Sequence, residues 1–121
     1  MLINLTNHPS GKWPAEQLTT ARSLYGDIVD LPFPNVDPAG DEQYITHLAD
    51  QYLQKVLDIA GLTTPTVHLM GEMTFTFALL NRLQAHGITA IASTTQRIVE
   101  SLPSGEKKVK FQFVRFRIYK A

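Results

Sequence analysis

Short apolar runs, each followed by a turn and then by a stretch of helical period, constrain this chain more than any other feature. Leu2 to Thr6, Asp27 to Leu31, Thr66 to Met70 and Ile88 to Ala92 read as strands bounded by turn residues. After the first, Pro14 falls where an opening helical turn favours proline, Leu18, Ala21 and Tyr25 recur at helical spacing, and Gly26 supplies a stop. After the second, Pro32-Phe33-Pro34 and Pro38-Ala39-Gly40 make a loop, and Asp41 is placed to cap a helix. Its apolar stripe runs from Ile45 through Leu48, Ala49, Tyr52, Leu53, Val56 and Leu57 to Ala60, closed by Gly61. After the third, Met73 to Ala85 is apolar nearly all round at its start, as in a helix buried on more than one side.

The last quarter changes period. Arg97 to Leu102 and Val109 to Tyr119, separated by Pro103 to Lys108, read as the arms of a hairpin. In the second arm the apolar phase slips, from Val109, Phe111 and Phe113 to Val114, Phe116 and Ile118. A bulge near Phe113-Val114, or a strand covered on both faces, accounts for the slip. Alternating strand and helix predict a parallel sheet with right-handed crossovers. The expected fold is an α/β, Rossmann-like three-layer sandwich, strand order beginning 2-1-3-4, with a C-terminal β-hairpin extending a mostly parallel sheet.

A chain of 121 residues fits one domain, residues 1–121. Zero formal net charge argues against a broad grip on duplex nucleic acid, which needs a basic face. The absence of cysteine removes disulfides, thiolate metal sites and a catalytic thiol. No run is long and apolar enough for a membrane span, and Met1 to Leu5 has no basic lead, so a cytoplasmic location is expected. There is no full glycine fingerprint and no P-loop, and no metal-ligand spacing stands out. No cofactor is expected.

In an open parallel sheet, ligands bind beyond the carboxyl ends of the strands, where the winding reverses. That point lies between the first and third strands. It gathers Asn7 and His8, Gly71 and Glu72, and Ser93, Thr94 and Thr95 with Arg97 close behind. Gly71 permits close backbone approach, and the helix start after Glu72 offers N–H groups to an anion. The hydroxyls and Arg97 suit phosphate. His8 is a residue type suited to moving a proton, and Glu72 suits a ribose hydroxyl. Each has a plainer use. His8 can cap a loop, Glu72 can complement the helix dipole, and Ser93-Thr94-Thr95 can be turn chemistry.

Several of these segments are similar to motifs of the small stand-alone ring nuclease group within the CRISPR-associated Rossmann-fold (CARF) superfamily. Ser93-Thr94-Thr95-x-Arg97 and the closing Phe113-Val114-Arg115-Phe116-Arg117-x-Tyr119 resemble that group best. Asn7-His8 followed by Glu16-Gln17 is similar to its opening Ser-His and Glu-Gln, and Gly71-Glu72 stands in place of a Gly-Asp pair. Met73-Thr74-Phe75 departs from the small residue expected after Gly71, and Ser10-Gly11-Lys12-Trp13 lengthens the first loop.

The resemblance implies a homodimer that binds cyclic oligoadenylate (cA4 or cA6), the second messenger of type III CRISPR defence. It implies metal-independent cleavage, in which a ribose 2′-hydroxyl attacks the adjacent phosphate. On this expectation His8 and Glu72 are catalytic. Asn7, Ser10, Trp13, Gly71, Thr74, Ser93, Thr94, Thr95 and Arg97 contact ligand, with Trp13 either stacking on a base or packing the loop. Two other readings remain: a module that sequesters the same ring uncut, and a nucleoside or nucleotide enzyme with Glu72 as nucleophile.

Overall fold

A computed structural model describes residues Met1 to Ala121. The strands are β1 (Leu2–Leu5), β2 (Ile28–Asp30), β3 (Thr66–Leu69), β4 (Thr89–Ser101) and β5 (Lys107–Ile118), and the helices are α1 (Ala15–Tyr25), α2 (Glu42–Ala60) and α3 (Met73–Ala85). They form one five-stranded sheet of order β2-β1-β3-β4-β5. The pairs from β2 to β4 are parallel and β4 pairs with β5 antiparallel. The α/β, Rossmann-like sandwich expected from the alternating periods is the fold of the chain.

The two faces of the sheet bury different cores. Ile3, Leu5, Val67, Leu69 and Ala90 pack against Ala49 and Val56 of α2 and Phe75, Leu79 and Leu83 of α3. Phe75 stands edge-on to both Phe33 and Tyr52, at centroid distances of 5.2 and 5.4 Å. The start of α3 is not buried all round, however: Met73 and Phe77 lie on its exposed side, and only Phe75, Leu79 and Leu83 enter the core. On the other face Leu2 and Ile91 meet Ala21 of α1, Trp13, Phe113 and Phe116. Asp41 caps α2 as expected, accepting from the Tyr44 N–H.

The structure revises the count of strands. Ser93-Thr94-Thr95 is not a loop; β4 runs unbroken from Thr89 to Ser101, so the first hairpin arm is the continuation of the fourth strand. Its pairing with β3 ends at Ile91, whereas its pairing with β5 continues to Ser101. The part beyond is a two-stranded arm, roughly 30 Å long at the rise of a β-strand. The phase slip is a bulge. Thr94 pairs with Arg115 and Thr95 with Phe113, leaving Val114 as the extra residue. Phe113 and Phe116 therefore both reach the α1 side, and both are buried.

Candidate functional site

A cleft of about 600 Å³ opens beside the carboxyl ends of β1 and β3, on the α1 face. Thr6, Asn7 and His8 form one wall, Lys12, Trp13 and Gln17 another, and His68, Met70, Ser93, Thr95 and Phe111 complete it. Two smaller hollows, of about 210 and 330 Å³, adjoin it and share Asn7 with it. The position is the one that topology predicted, between the first and third strands.

Behind the cleft a row of polar side chains crosses four strands. Asn4 is paired in register with Asp30 of β2 and with His68 of β3. Its amide Nδ2 donates to Asp30 Oδ1 and to the His8 carbonyl, each at 2.9 Å. Both partners only accept, so the nitrogen faces them and Oδ1 faces β3. There Oδ1 accepts from His68 Nδ1–H at 2.9 Å and lies 3.1 Å from Thr6 Oγ1. His68 Nε2 is then the bare nitrogen, and it accepts from the Ser93 hydroxyl at 3.1 Å.

His68 is 2% exposed, with Trp13 and Phe116 edge-on at 5.3 and 5.5 Å. Burial, reinforced by His8 nearby, lowers its pKa from 6.5 to about 4. The ring is neutral at physiological pH. At Asp30 burial raises the pKa, but hydrogen bonds from Asn4 and from the Ser10 amide and hydroxyl outweigh it and leave the carboxyl below its ordinary value.

The same bonds pin the first loop. Trp13 Nε1 donates to the His8 carbonyl at 2.9 Å, beside the bond from Asn4, and the His8 N–H donates to Thr6 Oγ1 at 3.1 Å. The His8 backbone is thus held while its imidazole stays exposed at the cleft wall. Nearby, α1 starts with no side-chain cap, which leaves first-turn amides beside Pro14 and Gln17 for an anion.

The expected site residues separate into two sets. Asn7, His8, Trp13, Ser93 and Thr95 line the cleft together. Arg97 shares their face of β4, opposite Phe111, and its guanidinium enters neither of the two ion pairs of the chain. Trp13, 7% exposed and hydrogen-bonded through its indole, is a packed wall rather than a free stacking platform.

The others serve the fold. Ser10 ties the loop to β2, its N–H and Oγ reaching the two Asp30 oxygens at 3.0 and 2.8 Å. Thr94 Oγ1 both accepts from the Arg115 N–H and donates to the Arg115 carbonyl, at 3.2 Å each, mending the ladder at the bulge. Gly71 is required by packing, because a Cβ there would overlap the Phe33 ring. Thr74 Oγ1 donates to the Glu72 carboxylate at 2.7 Å.

Glu72 itself caps α3, accepting from the amides of Thr74 and Phe75 at 2.7 and 3.0 Å. The hydrogen bond from the Thr74 side chain chiefly holds its pKa below the ordinary value. The anion position at the start of α3 is therefore filled by the chain's own carboxylate. Glu72 borders the small hollow beyond Asn7, not the main cleft.

His68 heads the cleft residues that escaped sequence reasoning, and Lys12, Gln17, Met70 and Phe111 are others. A signal for the first existed, since Asn4 and His68 each interrupt an otherwise apolar strand at equivalent positions. No group of three or more His, Cys, Asp or Glu side chains is arranged to hold a metal ion. No helix is long and apolar enough to cross a membrane.

No curated protein matches the chain. The family model that does match runs from residue 1 to residue 117, spanning the sheet, its helices, the cleft and nearly all of β5. The chain accordingly belongs to the uncharacterized protein MJ1673 family.

Proposed function

We propose that the chain is a CARF-type ring nuclease that binds and cleaves cyclic oligoadenylate. The observation that carries this reading is the cleft. It lies at the winding reversal of a Rossmann-like sheet, has the volume of a small-ligand pocket, and combines cationic Lys12 and the His8 imidazole with hydroxyl and aromatic groups. Arg97 lies on the same strand face as Ser93 and Thr95, and the open start of α1 adds amide donors for phosphate.

The chemistry is an in-line displacement within the ligand. The ribose 2′-oxygen forms a bond to the adjacent phosphorus, the bond from phosphorus to the 5′-oxygen breaks, and a 2′,3′-cyclic phosphate remains. The 2′-hydroxyl proton passes to solvent, and the departing 5′-oxygen takes a proton from the His8 imidazolium. The protein aligns the attack and holds the phosphate charge. His8 is the proton-transfer group of this mechanism because Glu72 is already engaged as a cap.

A two-fold ring calls for a two-fold protein. The β4–β5 arm supports a dimer. A bare two-stranded ribbon is only marginally stable, and this one exposes Phe111, Val99 and Val109 on the face that continues into the cleft. A second copy seated there would bring two clefts to one ring.

The sequestering module is the second reading. It is favoured by the scarcity of free proton-transfer groups: His68 is buried and Glu72 engaged. Single-turnover cleavage of labelled cyclic tetra- and hexa-adenylate in EDTA, for the parent and His8→Ala, tests both. Linear product with a slowing of about 10²–10⁴-fold in the variant supports the enzyme. Tight binding without product by the parent supports the sequestering module, and binding of neither ring removes both readings.

A further inference from the structure

The hydroxyl of Ser93 faces two ways. Toward the core it lies 3.1 Å from His68 Nε2, and toward β3 it lies 3.3 Å from Met70 Sδ. Toward the other side it borders the cleft. A serine has one proton to give and two lone pairs to receive with. An imidazole nitrogen is a far better acceptor than a thioether, so the proton goes to Nε2. That assignment is forced from the far end of the row. Asp30 fixes the Asn4 amide, Asn4 Oδ1 fixes the proton on His68 Nδ1, and Nε2 is left bare for Ser93.

We propose that Ser93 Oγ is a hydrogen-bond acceptor for a ligand hydroxyl, its own proton being held on His68 Nε2 by the row through Asn4 to Asp30. The group that a serine in a phosphate site normally offers, its O–H, is turned away from the cleft. Its lone pairs face outward and repel a phosphate oxygen, whereas they receive a hydroxyl. The anionic end of the row lies at Asp30, and each bond polarises the next, which makes Oγ a stronger acceptor than a free serine. His68 and Asn4 are positioning residues that act through Ser93.

Resting on the proposed ligand, the hydroxyl is the ribose 2′-OH. Phosphate contacts then fall to Lys12, Arg97 and the amides at the start of α1. The site reads ribose at β4 and phosphate around it. A ring built on deoxyribose has nothing to donate to Ser93 and leaves its oxygen facing an unfilled position.

Two measurements test this, one of them free of any ligand. In the uniformly ¹⁵N-labelled protein at pH 7, His68 should show a protonated Nδ1 and a bare Nε2. A protonated Nε2 would reverse the polarity of Ser93 and overturn the proposal. Isothermal titration then compares cyclic tetraadenylate with its all-2′-deoxy counterpart. The parent should prefer the ribose ring by about tenfold, the scale of one good hydrogen bond. Ser93→Ala should bind both rings alike, and Ser93→Thr, which keeps the hydroxyl, should retain the preference. An undiminished preference in Ser93→Ala overturns the ribose contact. Failure of the parent to bind either ring overturns the reading of the ligand and the ribose contact with it, while the ¹⁵N result still decides which way Ser93 faces.

Discussion

Ile3 and Leu5 leave β1 on the side of α2 and α3, into the larger apolar cluster; Leu2 and Asn4 of β1, and Thr6 just beyond it, face α1, and two of these three are polar. The contrast repeats on β3. Val67 and Leu69 join the large core, and His68 stands between them on the other side. One face supplies stability by area removed from water. The other gives up part of that area to buried polar groups, of which Asn4, Thr6 and His68 are joined by hydrogen bonds. Asn4 shows the standard required, since its amide engages four partners: Asp30, the His8 carbonyl, His68 and Thr6. The face that carries the candidate site is assembled from groups that would be costly in a core if left unbonded.

The sharpest way to break that contrast is to empty the large core. Phe75→Ala should lose about 3–5 kcal/mol of stability by urea unfolding while leaving the His68 ¹⁵N pattern unchanged. Loss of that pattern in the folded variant would show that the two faces are not independent.

Acid should act on the polar face first. The unfolded chain takes up a proton at His68 near pH 6.5 and the folded chain only near 4, so the unfolded state binds more protons in between. Stability contributed above pH 6.5 is therefore lost as the pH falls toward 4, by about 3 kcal/mol. The depressed carboxyls of Asp30 and Glu72 act in the same direction but lower, below the ordinary carboxylate range. Denaturation series at pH 7, 5.5 and 4 should show the loss, and His68→Gln should flatten it. An equal slope in that variant would place the proton elsewhere.

Gly71→Ala sharpens the assignment of Gly71 to packing. Overlap with the Phe33 ring should cost about 1–3 kcal/mol. Glu72→Ala removes a cap and should cost about 1 kcal/mol, and on the proposed function it leaves cleavage rates unchanged. Abolished cleavage in a folded Glu72→Ala protein would return Glu72 to the chemistry. The smallest change in stability is expected at Arg97→Ala, within about 0.5 kcal/mol, because the exposed guanidinium holds no partner. On the proposed function, binding of cyclic tetraadenylate to this variant weakens by about tenfold or more, as titration would show.

The elements were legible wherever apolar period and Gly or Pro punctuation agreed, as in α2 between Asp41 and Gly61. The phase slip left a bulge and a doubly covered strand both open, and the register with β4 decides for the bulge. The continuity of β4 was not. Ser93-Thr94-Thr95 carries turn-like hydroxyls, but β-branched threonines suit a strand, and pairing with β5 decided for the strand. A cleft lies where topology placed the candidate site, and Asn7, His8 and Ser93 line it together. Gly71 and Glu72 have the right types for a ligand and lie near the right edge. Only the positions of Phe33 and of the first α3 amides show that the fold already uses them. His68 was hidden because a histidine within an apolar strand does not declare which face it takes.

Trp13 and Phe116 stand 6.3 Å apart, and Tyr119 reaches across β4 to donate to the Leu69 carbonyl at 2.6 Å. Contacts between such distant parts of the chain have a temporal consequence. During synthesis every fully buried residue of the large core is present once Ala90 has emerged, whereas the aromatic backing of His68 must wait for β5. The half of the molecule that holds the buried histidine is thus the last to form. Until Phe116 arrives, His68 has one aromatic neighbour instead of two and remains open to water. The chain can be folded by the measure of its helices before the cleft behaves as a site.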